Sequence, residues 1–408
     1  MTGVGWLGIV AFVVGILLSV MIHEWGHFAA ARRFGCKVTE FFVGFGTRLW
    51  SFRRGETEYG IKAIPAGGYV KIIGMTDLEP VAEQDRPRAF YNKPAWQRAV
   101  TLCAGSFMHI VIGLVLFFVA FVAFGDLIPN NSSVLGGVSR CVPVSATTTD
   151  CKPSDPASPA SKADLQTGDR VVSVDGRAVH TWDDLTTAIR AKPDQILSLV
   201  VVRDGHQLPP IAVQTVTRQR PDPKNQNKTV TVGAIGIAPP PYDLVRYGPV
   251  QSVGKTFGQV GNLLGASVAA LASLPAKIGQ IFGVLFDGQP RDPNGAVGIV
   301  GISRISGDVA QSDLSTAGKI STLLMLLAGF NIFIGVFNML PLLPLDGGHV
   351  AVLAYERFRA WLARRKGLPE PARPDLNKLL PLAYAVMLLF VTMTVLLLAA
   401  DIFKPIQL

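Results

Sequence analysis

One short stretch of the chain combines residues that can bind a metal with a residue that can move a proton. It reads His-Glu-x-x-His, from His23 to His27. On a helix, His23 and His27 share a face because they are four residues apart. Two imidazoles at this spacing can hold one Zn²⁺, and Glu24 can act as general base toward a zinc-bound water. The spacing therefore predicts metal-dependent hydrolysis.

The stretch lies inside an apolar segment, residues 4–31, that is long enough to cross a bilayer. Ionisable residues at membrane depth are unfavourable and usually mark a function. The alternative is a helix end whose polar groups reach the lipid headgroups, with Arg32 and Arg33 just beyond. That alternative must explain two histidines and a glutamate together, so we favour the metal site.

A second informative stretch runs from Asn338 to His349 and contains two prolines and two glycines at the end of an apolar segment. Irregular backbone at membrane depth has to be buried in protein or line a wet cavity. A catalytic zinc site commonly uses three protein ligands and one water, so Asp346 is the natural third ligand. The alternative is a helix-capping aspartate.

The composition is that of a membrane protein. The 408 residues are 49% hydrophobic and only 16% charged, and the mean hydropathy is +0.36. Four apolar segments approach the ~20 residues of a spanning helix: residues 4–31, 99–124, 320–340 and 379–402. We therefore predict a polytopic α-helical membrane protein with four transmembrane helices.

Basic residues cluster beside the apolar segments, which predicts the topology. Clusters of Lys and Arg after the first and third spans are typical of cytoplasmic loops. Both termini and the middle of the chain would then lie outside the cytoplasm. The net charge of +9 follows from these loops and does not indicate nucleic-acid binding.

The first of these loops contains β-strand patterns. Residues 57–64 alternate, residues 65–68 read as a turn, and residues 69–73 read as a second strand. A membrane-associated β-hairpin or small sheet of this kind could offer a free edge to an extended peptide. A purely structural hairpin is the other interpretation, and the sequence leaves both open.

The middle region, residues 129–242, differs in character from the apolar segments. Residues 165–176 read as turn, strand and turn, residues 182–191 have helical spacing, and residues 196–203 read as a strand. The order resembles a PDZ domain, an inserted α+β domain whose groove binds chain ends by strand addition. A spacer that only restricts access to the membrane site is equally compatible.

Two further features complete the organisation. Cys141 and Cys151 fall in the extracytoplasmic region, where a disulfide can form, although two free thiols are the alternative. Residues 246–286 suggest an interfacial amphipathic helix rather than a fifth span. The predicted divisions are residues 1–128 for the first half of the membrane core, 129–242 for the PDZ-like domain, 243–318 for the interfacial segment and 319–408 for the second half of the core.

The motifs together resemble the site-2 protease family of intramembrane zinc metalloproteases, and most closely its single-PDZ actinobacterial members. They follow the family's order over nearly the whole chain: His23-Glu24-x-x-His27, Gly44-Phe45-Gly46, Pro65-x-Gly67-Gly68-Tyr69, the PDZ-like insert, and Asn338-x-x-Pro341-x-x-x-Leu345-Asp346-Gly347-Gly348-His349. The resemblance implies a catalytic Glu24 and zinc bound by His23, His27 and Asp346.

The resemblance also implies how substrate is held. An unwound substrate segment would pair with the loop at Gly67, Gly68, Tyr69 and Val70, and Asn338 would hold substrate backbone. The substrates would be trimmed single-span membrane proteins, such as anti-sigma factors or remnant signal peptides. The location would be the bacterial cytoplasmic membrane.

One position departs from the family pattern. Where the family often has Gly-Pro-x-x-Asn, this chain reads Gly105-Ser106-Phe107-Met108-His109. His109 could replace the asparagine as a hydrogen-bonding group or approach the metal, and we favour the first.

Two other classes of function use the same residues. A zinc or proton transporter could use the ionisable cluster as an ion path, but it predicts inverted repeats that the sequence does not display. A PDZ scaffold with a structural metal site would need four protein ligands, and only three are convincing.

Overall fold

The computed structural model describes residues 3–75, 80–142, 151, 156–222, 225–287, 295, 297–369, 371, 374 and 376–404. The chain forms two compact units, Met1–Asp126 with Arg246–Leu408, and Leu127–Val245. The first unit contains the apolar helices and a small sheet, and the second contains most of the strands.

The helices, in chain order, are α1 (Gly3–Arg33), α2 (Ala95–Val119), α3 (Pro159–Lys162), α4 (Trp182–Arg190), α5 (Pro249–Ala272), α6 (Leu274–Phe286), α7 (Ile299–Gln311), α8 (Thr316–Asn338), α9 (Asp346–Arg365) and α10 (Leu380–Phe403). A π-helical turn, Ala120–Phe124, extends α2.

The strands are β1 (Val38–Arg54), β2 (Thr57–Ile72), β3 (Asp126–Ile128), β4 (Gly137–Val138), β5 (Arg170–Val174), β6 (Arg177–Ala178), β7 (Ile196–Arg203), β8 (His206–Gln207), β9 (Ile211–Gln214), β10 (Val216–Asp222), β11 (Asn225–Ala234), β12 (Ile237–Ala238) and β13 (Asp243–Val245).

Four helices are long and apolar enough to cross a membrane, among the residues that the structure describes: Gly3–Arg33, Ala95–Phe124, Thr316–Asn338 and Leu380–Phe403. They confirm the four predicted spans, with ends that differ by a few residues. The protein is therefore membrane-embedded.

Small residues bring the helices of the first unit close together. A Cβ atom on Gly26 of α1 would lie 2.7 Å from the Ala104 carbonyl oxygen of α2. A Cβ on Gly8 would lie 2.6 Å from the Ser306 carbonyl oxygen of α7. Glycine permits such approaches, and close packing of this kind drives helix association in lipid.

The sheet after α1 differs from the predicted hairpin. Residues 57–72 form one strand that includes the predicted turn at 65–68. Both halves of β2 pair with residues 38–43 of β1, since Val43 faces both Ile61 and Gly68. The start of β1 therefore lies between them, and residues 68–72 form an outer strand. The sequence patterns missed this because β1 itself was not recognised as a strand.

The segment before α7 also differs from expectation. It forms two helices, α5 and α6, and α5 buries a face of small polar residues, Ser252, Thr256 and Ser267, together with Val260. Phe257, on another side of the same helix, is 63% exposed. In a water-soluble helix the apolar side chains would be buried and the polar ones exposed. Here small polar side chains are buried because they allow close packing between helices, and a large apolar side chain is exposed because it can face lipid.

The second unit is built around a five-stranded sheet with the order β6-β5-β7-β8, and β9 also pairs with β7. Its strands β5 and β7 and its helix α4 confirm the elements predicted at 165–176, 182–191 and 196–203. The core contains Leu185, Leu197, Leu199 and Val201. A disulfide joins Cys141 to Cys151.

Candidate active site

The two histidines of α1 and the aspartate that begins α9 meet in one place. His23 Nε2 and His27 Nε2 lie 3.2 Å apart. The Oδ2 atom of Asp346 lies 3.5 Å from His23 Nε2 and 3.3 Å from His27 Nε2. Both histidines are buried, and Asp346 is nearly so. The fold therefore joins two motifs more than 300 residues apart in the sequence.

A tight turn between α8 and α9 delivers Asp346. A Cβ on Gly347 would lie 2.3 Å from the Met339 carbonyl, and one on Gly348 would lie 2.5 Å from the Leu343 nitrogen. Only glycine fits at both positions, so the glycine pair allows α9 to begin directly against the turn. The cap of α9 is Leu345, without a side-chain cap hydrogen bond, so the helix-capping interpretation of Asp346 is wrong.

The three converging atoms fit a zinc ion. Tetrahedral Zn²⁺ with bonds of ~2.1 Å places neighbouring ligand atoms about 3.4 Å apart. The distances of 3.2, 3.3 and 3.5 Å are close to that spacing. Asp346 Oδ2 is buried and has no hydrogen-bond partner among the described residues, and a metal would satisfy it. Two imidazoles and a carboxylate are also a donor set that zinc uses in catalytic sites.

Helix α2 supplies features of the site that the sequence did not reveal. His27 Nδ1 lies 2.8 Å from the Thr101 carbonyl oxygen, so Nδ1–H donates and Nε2 keeps its lone pair for a metal. Gly105 lies against both histidines: a Cβ there would be 2.3 Å from His27 Nε2 and 2.7 Å from His23 Nε2. Any side chain at 105 would therefore enter the metal position.

Glu24 lies under the outer strand of the sheet. A Cβ on Gly68 would lie 3.2 Å from Glu24 Cγ. The backbone N–H of Val70 lies on the side of the strand that faces the Glu24 carboxylate. The predicted base is therefore next to both the histidine cluster and residues 68–72.

His109 acts as a hydrogen-bonding group, as favoured from the sequence. Its Nδ1 lies 2.8 Å from Asn331 Oδ1, and the Asn331 amide donates to the Leu327 carbonyl oxygen at 2.8 Å. This arrangement assigns the proton to Nδ1. Among the described residues, the group whose ligand atoms lie close enough together to bind one metal ion consists of His23, His27 and Asp346. It includes neither His109 nor His349.

The predicted substrate-binding residues are arranged as follows. Tyr69 and Val70 belong to the outer strand, opposite Phe42 and Phe41 of β1. Gly67 has φ of +143°, a conformation that favours glycine, where β2 bends. Asn338 is the last residue of α8 and is half-buried near the turn that leads to Asp346.

Comparison with known proteins supports the chemistry that this geometry suggests. Residues 11–367 match the family model described as peptidase family M50. The chain is 38% identical over 406 residues to the zinc metalloprotease Rip1 of Mycobacterium tuberculosis, covering 98% of both chains. It is 36% identical over 409 residues to Rip1 of Mycolicibacterium smegmatis, again covering 98% of both.

A less similar relative is also named as a zinc metalloprotease. A putative zinc metalloprotease of Brucella suis is 32% identical over 365 residues, with 86% of each chain covered. The family model spans most of the chain, and the mycobacterial relatives match it nearly end to end. The chain belongs to peptidase family M50, the site-2 protease family, and is a zinc metalloprotease.

Proposed function

We propose that this protease hydrolyses peptide bonds in or near the transmembrane segment of single-span membrane proteins that have already been trimmed. In this proposal His23, His27 and Asp346 bind zinc, and Glu24 is the catalytic base. The convergence of three donor atoms at 3.2–3.5 Å beside Glu24 supports these roles. An intramembrane protease acts on membrane-protein substrates within the bilayer.

Each residue of the site has a defined task in peptide hydrolysis. Zinc, when bound, acts as a Lewis acid that polarises the peptide carbonyl and lowers the pKa of water. Glu24 accepts a proton from the attacking water and passes it to the leaving nitrogen. Thr101 holds His27 in the tautomer that keeps Nε2 available. The buried setting strengthens these interactions because little water screens them.

The observation that carries the substrate proposal is the position of the outer strand. Residues 68–72 pair with β1 along one edge, and no other described strand pairs with them. Their other edge runs past Glu24, where the Val70 N–H meets the carboxylate. A substrate strand added to this edge would replace backbone hydrogen bonds lost on unwinding. It would also compete for the Val70 N–H and so release Glu24 for the attacking water.

The Tyr69 side chain holds the outer strand to the rest of the β1–β2 sheet. Its hydroxyl donates to the Glu40 carboxylate and accepts a hydrogen bond of 2.8 Å from Lys62. Its ring stacks on Phe42 at 5.8 Å. Burial and the Glu40 hydrogen bond raise the pKa of the Tyr69 hydroxyl, which therefore remains a donor. These contacts hold the strand in one position for pairing.

Basic residues at the helix ends support a proposed orientation in the membrane. Arg32 and Arg33 end α1, and Arg364 and Arg365 end α9, so the positive-inside rule puts these ends in the cytoplasm and the termini and second unit outside. We infer that this unit is a PDZ-like domain that binds a chain end or restricts access. Anti-sigma factors and remnant signal peptides are the proposed substrates of regulated intramembrane proteolysis.

Proline substitution tests strand pairing. Val70→Pro removes an N–H that faces away from β1, whereas Val70→Ala keeps it. We expect Val70→Pro to reduce cleavage of a single-span substrate at least about tenfold, because both strand addition and its contact to Glu24 depend on this N–H. Val70→Ala should stay within about threefold of wild type, since the backbone supplies the bond.

The control is zinc content, which should be one ion per chain in both variants because Val70 supplies no ligand. Folding is checked by thermal unfolding in detergent. If a folded, zinc-loaded Val70→Pro protein cleaves at the wild-type rate, substrate is held elsewhere and the sheet is only structural.

A further inference from the structure

A cavity of about 600 Å³ opens beside α1, and its lining does not include His23, Glu24, His27 or Asp346. Trp25, Phe28 and Arg32 line it from α1. These three residues follow one another at three- and four-residue spacing and so share a face, while His23 and His27 lie on the opposite face. A cavity of this size is in the range of small-molecule and cofactor sites.

Aromatic rings form the wall of the cavity. The Phe28 ring lies 5.5 Å from Phe41 and 5.9 Å from Tyr59, and Phe52 stacks on Tyr59 at 5.4 Å. Phe52 and Trp25 are 46% and 52% exposed, so the wall is open to the surroundings. Such a surface at the end of a membrane helix suits an apolar molecule with a polar head.

Two arginines form the rim of the cavity, and both are exposed. Arg32 lies over the Phe28 ring at 5.6 Å, and Arg54 follows from the end of β1. In the part of the chain that the structure describes, the carboxylate ion pairs include neither arginine.

Glu56, the acidic residue in the cavity lining, forms an ion pair with Arg88. Arg88 donates to both Glu56 oxygens at 2.6 and 2.8 Å. The hydrogen bond from Arg88 lowers the pKa of Glu56 and keeps it ionised within this pair. The rim carries a net charge of +2, because three arginines (Arg32, Arg54 and Arg88) face one carboxylate, Glu56.

An apolar path leads along the membrane helix to the cavity. Val14, Leu18 and Ile22 are 47%, 54% and 37% exposed and follow one another at four-residue spacing, and Trp25 comes three residues later. The path from Val14 to Trp25 is about 16 Å long at 1.5 Å per residue. An acyl chain has a comparable reach, so a lipid headgroup at the rim could place its tail on this path.

We propose that this cavity is a binding site for an anionic phospholipid. The phosphate lies between Arg32 and Arg54, the glycerol region lies on the aromatic wall, and one acyl chain follows the exposed face of α1. Basic pockets at membrane-helix ends recognise anionic headgroups through charge and shape together. Because the cavity joins α1 to the β1–β2 turn, a bound lipid holds the sheet against the helix that carries Glu24.

A lipid-binding titration tests whether the cavity prefers an anionic phospholipid. The purified full chain in detergent is titrated with dioleoylphosphatidylglycerol or zwitterionic dioleoylphosphatidylcholine and analysed by native mass spectrometry. The test variant is Arg32→Gln with Arg54→Gln. The matched control is Arg33→Gln with Arg53→Gln, which removes the same charge from neighbouring exposed positions outside the cavity lining.

Wild type and the control should bind phosphatidylglycerol about 30-fold more tightly than phosphatidylcholine, the ratio expected from two basic contacts. The test variant should lose this preference. Equal loss in both double variants, or equal affinity of wild type for the two lipids, would overturn the proposal.

A second measurement needs no change in charge. Phosphatidylglycerol with brominated acyl chains should quench the fluorescence of Trp25, obtained as the difference between wild type and Trp25→Phe, more strongly than the brominated phosphatidylcholine. Equal quenching by the two lipids would contradict the site even if the arginine variants failed to fold.

Discussion

At the scale of single residues, the site follows from donor chemistry and helical spacing. His23 and His27 could be predicted as zinc ligands from the sequence because a separation of four residues puts both on one face. Asp346 could be predicted as the third ligand because a zinc site with two imidazoles needs another donor, and the structure brings the three side chains together. The roles of Thr101 and Gly105 could not be predicted, since they depend on how α2 packs against α1.

Gly105 provides a prediction at this scale. Gly105→Ala places a methyl group 2.3 Å from the present position of His27 Nε2. We expect zinc affinity to fall at least about tenfold, a loss typical of disturbed metal ligands, and cleavage to fall with it. Zinc content is measured after equilibration with a competing chelator.

Gly113→Ala is the matched control on the same helix. Its Cβ would contact Ile332 Cδ1, the end of a flexible side chain, at 2.5 Å, and so disturbs packing without touching the metal position. It should keep zinc. Normal zinc affinity in Gly105→Ala would show that the histidines have room to move and that the close approach of α2 has no role in binding.

At the scale of secondary structure, local patterns predicted helices better than strand pairing. The four spans were recognisable from length and apolarity alone. The order within the β1–β2 sheet was not, because β2 bends and pairs through both halves with residues 38–43. A turn signal such as Pro-Ala-Gly-Gly describes a local bend and says nothing of which strand lies beside it.

An ion pair between α2 and α9 holds the helix that begins with Asp346. Arg98 donates to both Glu356 oxygens at 2.9 and 3.0 Å, and the two side chains are only 13% and 9% exposed. Glu356→Ala should lower the free energy of unfolding by about 3 kcal/mol, since it leaves the Arg98 charge buried without its partner. Zinc retention should fall as well.

Arg357→Gln is the control for this pair. Arg357 touches the same carboxylate at 3.2 Å but is 44% exposed, so its loss should change stability by less than about 1 kcal/mol. Both variants are compared by thermal unfolding and zinc content. Equal effects of Glu356→Ala and Arg357→Gln would show that the Arg98 pair contributes nothing specific.

At the scale of the whole molecule, the chain combines a membrane unit that carries the chemistry with a second unit that has its own core. The boundary predicted at 129–242 lies close to the observed unit, Leu127–Val245. The prediction rested on composition, since apolar segments flank a polar region with alternating strands. The buried residues of the second unit form a core of its own, which explains how this polar region folds between the apolar segments.

The second unit has an acid-sensitive pair. Asp169 is 1% exposed. Although burial alone would raise the pKa of Asp169, hydrogen bonds from Arg203 and the Gln166 N–H lower it below the usual value. A lowered folded-state pKa gives stability that is present above the unfolded value of about 3.9 and is lost as pH falls below it.

Asp169→Asn should therefore destabilise this unit at neutral pH and remove part of its acid sensitivity, because the neutral amide loses the charge that Arg203 stabilises. The measurement is hydrogen exchange of the β5 amides in the full chain at pH 7 and at low pH. Unchanged protection at pH 7 in the variant would show that the pair does not stabilise the unit.

In the proposed mechanism Glu24 moves the proton while other residues hold zinc, so a variant of Glu24 should lose activity and keep the metal. Wild type and Glu24→Gln are purified, their zinc content is measured, and both are incubated with the same trimmed single-span substrate, with and without chelator. We predict one zinc per chain in both proteins and at least about 100-fold slower cleavage by Glu24→Gln, because the amide keeps the shape but cannot accept a proton. Cleavage by zinc-loaded Glu24→Gln at a rate near that of wild type would show that Glu24 is not the catalytic base.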